Sequence, residues 1–198
     1  MGLFDIFKGK GNKNIVSFPE IEDVFAEDLD ECRKVFFPVY SIRLGDVNPE
    51  WGDEKIHVVQ FNEDPYNTET AKYFTDYCKD CMISFKLKDG KYVFSTDFRY
   101  FDLTDDWKEW FQKTKETYTA SKRLHKSGEK DFFFEGLAVG GEPEWWQDDE
   151  TPIDPSGNPM HFITEFETDD ICDDYCDKKI FLFYSPEHKL AVQLYQNT

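Results

Sequence analysis

GLAVGGEPEWWQDDETPIDPSGNPMHFITEF, residues 136–166, is the least generic part of the chain. It places two turns between two strand-like runs. Gly140 and Gly141 precede a proline and a pair of tryptophans, and adjacent glycines in this setting predict a backbone with positive φ, covered closely by aromatic rings. A second turn, at residues 154–157, leads into a strand from Met160. Its unusual composition makes this stretch the first candidate for a functional site.

The chain has 198 residues and a formal net charge of −18, and it is long enough for one continuous core. The acidic balance argues against a nucleic acid partner, since phosphate binding needs a basic surface. No apolar run approaches the roughly 18–20 residues of a membrane span. Residues 1–13 are too short and polar for a signal peptide. We therefore expect a cytoplasmic protein in which residues 15–198 form a single domain.

The negative charge is concentrated in residues 142–198, which contain 14 Asp and Glu residues and 3 Lys and Arg residues. This segment accounts for a net charge of −11 out of −18. An acidic surface of this kind can meet a basic protein partner by electrostatic steering. A solvated acidic face explains the same composition.

Residues 1–14 begin with apolar side chains and end with three lysines. Such an amphipathic, basic segment can lie on an anionic membrane surface, or it can dock on the domain that follows. Ile6 occupies the position where N-myristoylation needs Ser or Thr, so the lipid anchor is not expected. Membrane contact by residues 1–13 and docking on the domain both stay open.

Hydrophobic periodicity predicts three helices and about eight strands. Several strands are joined by short turns, and helices do not alternate regularly with strands. The predicted fold class is therefore α+β, with a mostly antiparallel sheet on which the three helices pack. The predicted helices are residues 18–34, 64–81 and 104–128, and the predicted strands are residues 35–44, 55–61, 82–87, 92–98, 132–139, 160–166, 179–185 and 190–195.

Three local features refine this prediction. Pro38 in the first of these strands favours an edge position or a bulge. Asp89-Gly90 predicts a hairpin turn. The longest helix is expected to bury one apolar side, with Trp107, Trp110, Phe111, Tyr118 and Leu124.

Four of the five cysteines form two close pairs. Cys78 and Cys81 form a C-x-x-C motif, and Cys172 and Cys176 form a C-x-x-x-C motif. Together they could supply four thiolates to a tetrahedral zinc ion. The acidic residues around the second pair disfavour thiolates, because they raise the pKa of a thiol. We therefore expect reduced cysteines and no cofactor, with a zinc-stabilised domain as the alternative.

No motif for hydrolysis occurs in the chain, since G-x-S-x-G and H-E-x-x-H are both missing. The run from Asp148 to Glu150 lacks the alternating ligands of a calcium loop. We therefore expect a protein without enzymatic activity. The alternative is a small-molecule pocket near Trp145 and Trp146, in a binding protein or an unrecognised enzyme.

The turns also carry a family resemblance. The motif Gly140-Gly141-x-Pro143-x-Trp145 is followed by Gln147, Pro152 and Gly157-x-Pro159-Met160-x-Phe162-Ile163, and a later strand reads Phe181-Leu182-Phe183-Tyr184. Over about residues 136–196 the chain resembles the YwqG-like family of uncharacterised bacterial proteins. The resemblance implies a mixed α+β fold, no established enzyme activity and, from some relatives, a role like that of bacterial immunity proteins. Many relatives carry a C-x-x-C motif where this chain has residues 153–156, without cysteine.

The leading hypothesis is a non-enzymatic bacterial cytosolic binding protein, with an acidic surface that meets a protein partner. The resemblance adds a role like that of immunity proteins to this hypothesis. The acidic surface is centred on residues 142–154 and 165–177. The residues expected to contact the partner are Trp146, Asp148, Asp149 and Glu150. The residues expected to hold the motif in place are Gly140, Gly141, Pro143, Trp145, Gly157, Pro159 and Met160.

Overall fold

Antiparallel strands and three helices make up the part of the chain that the computed structural model describes. The described residues are 15–61, 69–103, 105–128, 134, 137–168, 171 and 178–197. Within these ranges the chain has eight strands, so the predicted α+β class is confirmed. The strands divide into two sheets, of three and five strands.

The three-stranded sheet contains β1 (Val16–Ser17), β2 (Phe37–Arg43) and β3 (Lys55–Gln60), with β2 in the centre. The register of β2 against β3 shifts between Pro38 and Tyr40. The sequence allowed either an edge position or a bulge at Pro38, and the structure has a bulge. Proline has no N–H for the ladder, and a bulge leaves one residue unpaired.

The five-stranded sheet contains β4 (Met82–Lys88), β5 (Lys91–Phe94), β6 (His161–Glu167), β7 (Lys178–Ser185) and β8 (Leu190–Asn197). Its strand order is β5-β4-β8-β7-β6, and every neighbouring pair is antiparallel. The last strand in the chain therefore lies in the centre of the sheet.

The turn between β4 and β5 is the hairpin that the sequence predicts. Asp89 has a φ of 52° and Gly90 a φ of 72°. Two successive positive φ values are typical of a type I′ turn, whose twist matches that of antiparallel strands. A Cβ atom on Gly90 would also lie 3.3 Å from the backbone nitrogen of Lys55. Glycine therefore satisfies both the conformation and the close approach.

Both faces of the five-stranded sheet are covered. Successive residues of a strand point to opposite faces, and β8 shows this alternation clearly. Ala191 and Tyr195 belong to a large hydrophobic cluster shared with the three-stranded sheet. Val192 and Leu194 belong to a smaller cluster, against which Trp145 packs. The segment around Trp145 therefore forms a further layer on the far face of the sheet.

The predicted single helix over residues 18–34 is wrong. α1 covers Ile21–Val24 and α2 covers Leu29–Val35. Phe25, between them, has an extended backbone and forms an isolated bridge to β5. Its side chain is 2% exposed and stacks on Phe36, with 5.1 Å between the ring centroids. Tertiary packing of this ring outweighs the local preference for a continuous helix.

The helix predicted over residues 64–81 is also wrong in its described part. Residues 69–81 contain a short 3₁₀-helix, Ala71–Tyr73, followed by two isolated bridges. Cys78, which was placed on a helical stripe, instead accepts a hydrogen bond through its Sγ from the backbone N–H of Ser84 at 3.3 Å. Tight turns therefore return the chain to the start of β4.

α3 covers Asp105–Ser127, as predicted. Thr114 and Tyr118 lie on its buried side, and the Tyr118 hydroxyl donates to the carbonyl oxygen of Pro38 at 2.6 Å. The prediction that Trp110 is buried is wrong, because its exposed fraction is 37%. Trp110 lies at the margin of the stripe that contacts the sheet.

Some predictions fall outside the described residues. They concern residues 1–14, the start of the second predicted helix at 64–68, and residues 132, 133, 135 and 136 of the strand predicted at 132–139. Val139 is described, and it forms an isolated bridge with Thr164 of β6. No helix within the described ranges has the length and apolar character needed to cross a membrane.

Candidate functional site

The first turn of the motif is held against β6. Gly140 and Gly141 have φ values of 72° and 88°, so the predicted positive φ is confirmed at both. The N–H of Gly140 donates to the carbonyl oxygen of Ile163 at 2.7 Å. This hydrogen bond fixes the point at which the chain leaves the sheet edge and starts across its face.

Trp145 is an architectural residue. Its ring centroid lies 4.6 Å from that of Phe181 and 5.8 Å from that of Phe183, both on β7. Rings at these distances pack favourably, in addition to the apolar area that they bury. The indole ring therefore anchors the loop to the sheet.

Gln196 of β8 holds the middle of the loop. Its side chain is buried, and its Oε1 atom accepts hydrogen bonds from the backbone N–H groups of Trp146 and Gln147, both at 3.0 Å. Its Nε2 atom donates to the carbonyl oxygen of Asp148 at 2.9 Å and to Oε2 of Glu150 at 3.1 Å. All four hydrogen-bonding positions of one amide are used, which gives residues 146–150 a defined backbone path.

A buried ion pair holds the start of the loop. Lys179 Nζ lies 2.6 Å from Glu165 Oε1, and their side chains are 5% and 14% exposed. Both partners also bind the backbone of Glu144: Lys179 Nζ donates to its carbonyl oxygen at 2.9 Å, and Glu165 Oε2 accepts from its N–H at 2.7 Å. Lys179 Nζ also lies 5.9 Å from the ring centroid of Trp146.

The acidic side chains of the loop differ in whether they form hydrogen bonds within the protein. Glu142, Glu144 and Asp148 are exposed, and within the described residues their carboxylates have no hydrogen-bonding partner. Asp149 Oδ1 accepts from the hydroxyl of Thr151 at 2.7 Å, and this hydrogen bond lowers the pKa of Asp149.

Among the residues predicted to contact a partner, Asp148 is therefore exposed, and no side chain in the described part of the protein binds its carboxylate. Asp149 and Glu150 are exposed but also bonded within the loop. Trp146 is half-buried beside Lys179.

The second turn is built around Asp154, which is 9% exposed. Its Oδ1 atom accepts from the N–H groups of Ser156 and Asn158, both at 2.9 Å, and its Oδ2 atom accepts from Ser185 Oγ at 3.1 Å. The N–H of Asn158, followed by the other hydrogen bonds, lowers the pKa of Asp154. Met160, just after the turn, is buried in the smaller cluster.

The remaining motif residues complete this turn. The N–H of Gly157 donates to the carbonyl oxygen of Asp154 at 2.9 Å, and Pro159 forms an isolated bridge with Ile153. Pro143, which lies between Gly140 and Trp145 in the sequence, is half-buried.

A polar cluster that the sequence reasoning missed lies beside Asp154. Ser156 Oγ is 2.9 Å from His188 Nε2 and 3.4 Å from Glu187 Oε2. His188 Nε2 is 3.9 Å from Asp154 Oδ2. The signals were two turn sequences, Asp154-Pro155-Ser156-Gly157 and Pro186-Glu187-His188, but nothing in the sequence shows that these turns meet.

Ser156, His188 and Asp154 do not have the geometry of a nucleophilic triad. In a triad the carboxylate binds one imidazole nitrogen and the serine binds the other. Here the serine and the carboxylate both face Nε2. The carboxylate therefore cannot orient the imidazole as a base towards the serine.

Only one of the two cysteine pairs, Cys78 and Cys81, lies within the described residues. Cys78 is buried, and burial raises the pKa of its thiol, which disfavours the thiolate that zinc requires. Cys81 is partly exposed. Cys172 and Cys176 lie outside the described residues, so the four-cysteine zinc site stays a prediction.

A cavity of about 300 Å³ lies on α3, which is remote in the sequence from Trp145 and Trp146. It is lined by Gln112, Lys115, Glu116, Thr119, Ala120 and Arg123. The lining includes no residue of the loop around Trp145 and Trp146. A ligand pocket beside these tryptophans stays a prediction.

Comparison with protein-family models, curated proteins and solved structures gave no match to this chain, so the resemblance to the YwqG-like family stays a prediction.

Proposed function

We propose that this protein is a non-enzymatic binding protein whose acidic loop, residues 142–150, contacts a basic surface of a protein partner. One observation carries the proposal. Buried side chains of β6, β7 and β8 fix the backbone of this loop, while the carboxylates of Glu142, Glu144 and Asp148 have no hydrogen-bonding partner among the described residues.

The fixed backbone has an energetic consequence. A flexible loop loses conformational freedom when it binds. Each side chain or segment that becomes ordered only on binding costs free energy and so reduces the affinity. The Gln196 amide and the Lys179–Glu165 ion pair supply this order before the partner arrives. Exposed carboxylates on a rigid loop can therefore steer and orient a cationic partner at a low entropic cost.

The charge of the surrounding chain defines the partner class. Residues 140–158 contain six Asp and Glu residues and neither Lys nor Arg. A surface with this sign repels phosphate, so the partner is a basic protein and not a nucleic acid. A cytoplasmic location and a role like that of immunity proteins, which neutralise a basic toxin, are the finer parts of this proposal.

A charge-reversal experiment tests the proposal. The test variant is Glu142→Lys/Glu144→Lys/Asp148→Lys, which leaves the hydrogen bonds of Asp149, Glu150 and Gln196 in place. The matched control is Glu27→Lys/Asp76→Lys/Glu109→Lys, which makes the same charge change at exposed positions outside the loop.

Partners are recovered by pull-down from lysate, identified by mass spectrometry, purified and measured by surface plasmon resonance at low and high salt. The proposal expects a basic partner whose association rate falls with salt and whose affinity drops at least about tenfold in the loop variant only. Equal binding to wild type and the loop variant, or an equal loss in the control, contradicts the proposal.

A further inference from the structure

Three metal-ligating side chains converge where two turns meet. Asp154 belongs to the turn before β6, whereas Glu187 and His188 belong to the turn between β7 and β8. One ligand atom from each residue lies within 4.8 Å of the other two. None of the three residues is part of the acidic loop 142–150, so this cluster is separate from the proposed partner surface.

Asp154 gives an independent indication of a cation. Its side chain is buried, with 9% of the residue exposed. Within the described ranges no Lys or Arg forms an ion pair with it, and His188 Nε2 at 3.9 Å is the nearest basic group. Buried charges in proteins are usually paired with an opposite charge or coordinate a metal ion.

The donor types select the class of ion. Calcium and magnesium ions take oxygen ligands, whereas imidazole nitrogen together with carboxylate oxygen suits zinc and neighbouring transition metals. We propose that Asp154, Glu187 and His188 bind one zinc-class divalent ion. Three protein ligands leave a fourth tetrahedral position, which a water molecule fills in zinc sites of this type.

The geometry needs a small adjustment to accept the ion. Ligand atoms about 2.0–2.1 Å from a tetrahedral zinc ion lie about 3.3 Å from each other. Asp154 is fixed by Ser185 and two backbone N–H groups, so it supplies the stationary ligand. Glu187 is exposed and His188 is on the same short turn, so rotation of these two side chains can close the site.

Binding also changes one hydrogen bond. The lone pair of His188 Nε2 must face the ion, so Nδ1 carries the imidazole proton. Ser156 Oγ, now 2.9 Å from Nε2, must release that nitrogen. The Ser156 hydroxyl can then donate to Glu187 Oε2, from which it is 3.4 Å away.

Isothermal titration with Zn²⁺ alone, in a buffer that does not chelate metal, tests the proposal. The ligand variants are His188→Gln and Glu187→Gln, and the control is His161→Gln, an exposed histidine of β6. The Cys172→Ser/Cys176→Ser variant tests whether thiolates supply the site instead. Circular dichroism of each metal-free variant verifies that it is folded, and the absorption spectrum with Co²⁺ reports the ligand geometry.

The expected result is one Zn²⁺ per chain and an affinity at least about tenfold weaker in both ligand variants, with the histidine control and the cysteine variant unchanged. The Co²⁺ spectrum is expected to be that of a tetrahedral nitrogen and oxygen site, without thiolate charge-transfer bands. Three results overturn the proposal: no stoichiometric binding to wild type, equal affinity in His188→Gln, or loss of binding in the cysteine variant.

Discussion

The hydroxyl group of Tyr92 binds both backbone polar groups of His57: it accepts from the N–H at 2.9 Å and donates to the carbonyl oxygen at 2.6 Å. His57 lies on β3, which has no further strand beside it in its sheet. Gln193 repeats the arrangement at Val59, with its amide 2.9 Å from the nitrogen and 2.8 Å from the oxygen. Two side chains of the five-stranded sheet therefore take the place of a neighbouring strand and join the sheets.

The Tyr92→Phe variant is expected to lower the free energy of unfolding by about 2–4 kcal/mol, because a buried N–H and a buried C=O each lose their partner. Urea denaturation measures the loss. Tyr77→Phe is the matched control, since its hydroxyl also donates to a carbonyl oxygen, that of Ile153 at 2.8 Å, but at an exposed position. Its expected loss is below about 1 kcal/mol. Equal losses in the two variants would show that the bridge does not stabilise the fold.

Protonation of His57 is expected to destabilise the protein in acid. Ser41 Oγ lies 2.7 Å from Nδ1 and the carbonyl oxygen of Gly90 lies 2.9 Å from Nε2, so the neutral ring donates to Gly90 and accepts from Ser41. Burial is the main cause that lowers the pKa of His57 to about 4. The unfolded chain, whose histidine has a pKa of about 6.5, therefore binds the proton first on acidification.

The stabilisation by neutral His57 is complete above pH of about 6.5 and is lost as the pH falls towards about 4, by about 3 kcal/mol in total. Urea midpoints at several pH values measure it. The His57→Gln variant, which cannot titrate, should show a shallower pH dependence across this window. His161→Gln is the control and should keep the wild-type slope. Parallel pH dependences in wild type and His57→Gln would refute the assignment.

Substitution of Gln196 by leucine is expected to release the acidic loop without unfolding the sheet. The side chain keeps its approximate volume, but the N–H groups of Trp146 and Gln147 lose their acceptor. Hydrogen exchange at these two amides should accelerate at least about tenfold, which corresponds to about 1.4 kcal/mol of lost protection. Gln112→Leu, at an exposed position of α3, is the control. Unchanged exchange in Gln196→Leu would mean that other contacts order the loop.

The two adjacent tryptophans are expected to differ in role. Trp145→Ala removes the ring that packs on Phe181 and Phe183, so it should cost about 2–3 kcal/mol of unfolding free energy. Trp146→Ala should cost less than about 1 kcal/mol, and it should weaken partner binding more than it weakens the fold. Urea denaturation and surface plasmon resonance separate the two effects. A larger stability loss in Trp146→Ala would reverse the assignment.

The fold was predictable where local and tertiary preferences agree. Asp89-Gly90 predicted its hairpin because the turn residues alone select the positive φ values. α3 was predicted because apolar residues recur at helical spacing over its whole length. Residues 18–34 were predicted as one helix but form two. Phe25 fits the helical spacing of the apolar residues in the sequence, but in the structure its ring packs against Phe36 in the core. That contact depends on where the other strands lie.

The candidate sites were predictable to different extents. Asp148 could be identified from the acidic run, and the positive φ of Gly140 from its neighbours. The anchors Gln196 and Glu165 could not be identified, because they are remote in the sequence from the loop residues that they bind. Glu165 is 21 residues from Glu144, and Gln196 is 50 residues from Trp146. The Asp154 cluster was missed for the same reason, since 32 residues separate Ser156 from His188 and only the strand order brings them together.

The alternation of β8 has a consequence for biosynthesis. Gln193 completes the uncovered edge of β3 on one face of the sheet, and Gln196 holds the acidic loop on the other. β8 is also the last described strand to leave the ribosome. Until it emerges, the nascent chain has neither its inter-sheet connection nor an ordered acidic loop. The order of the acidic loop is thereby coupled to completion of the five-stranded sheet, so partly synthesised chains do not present the finished loop.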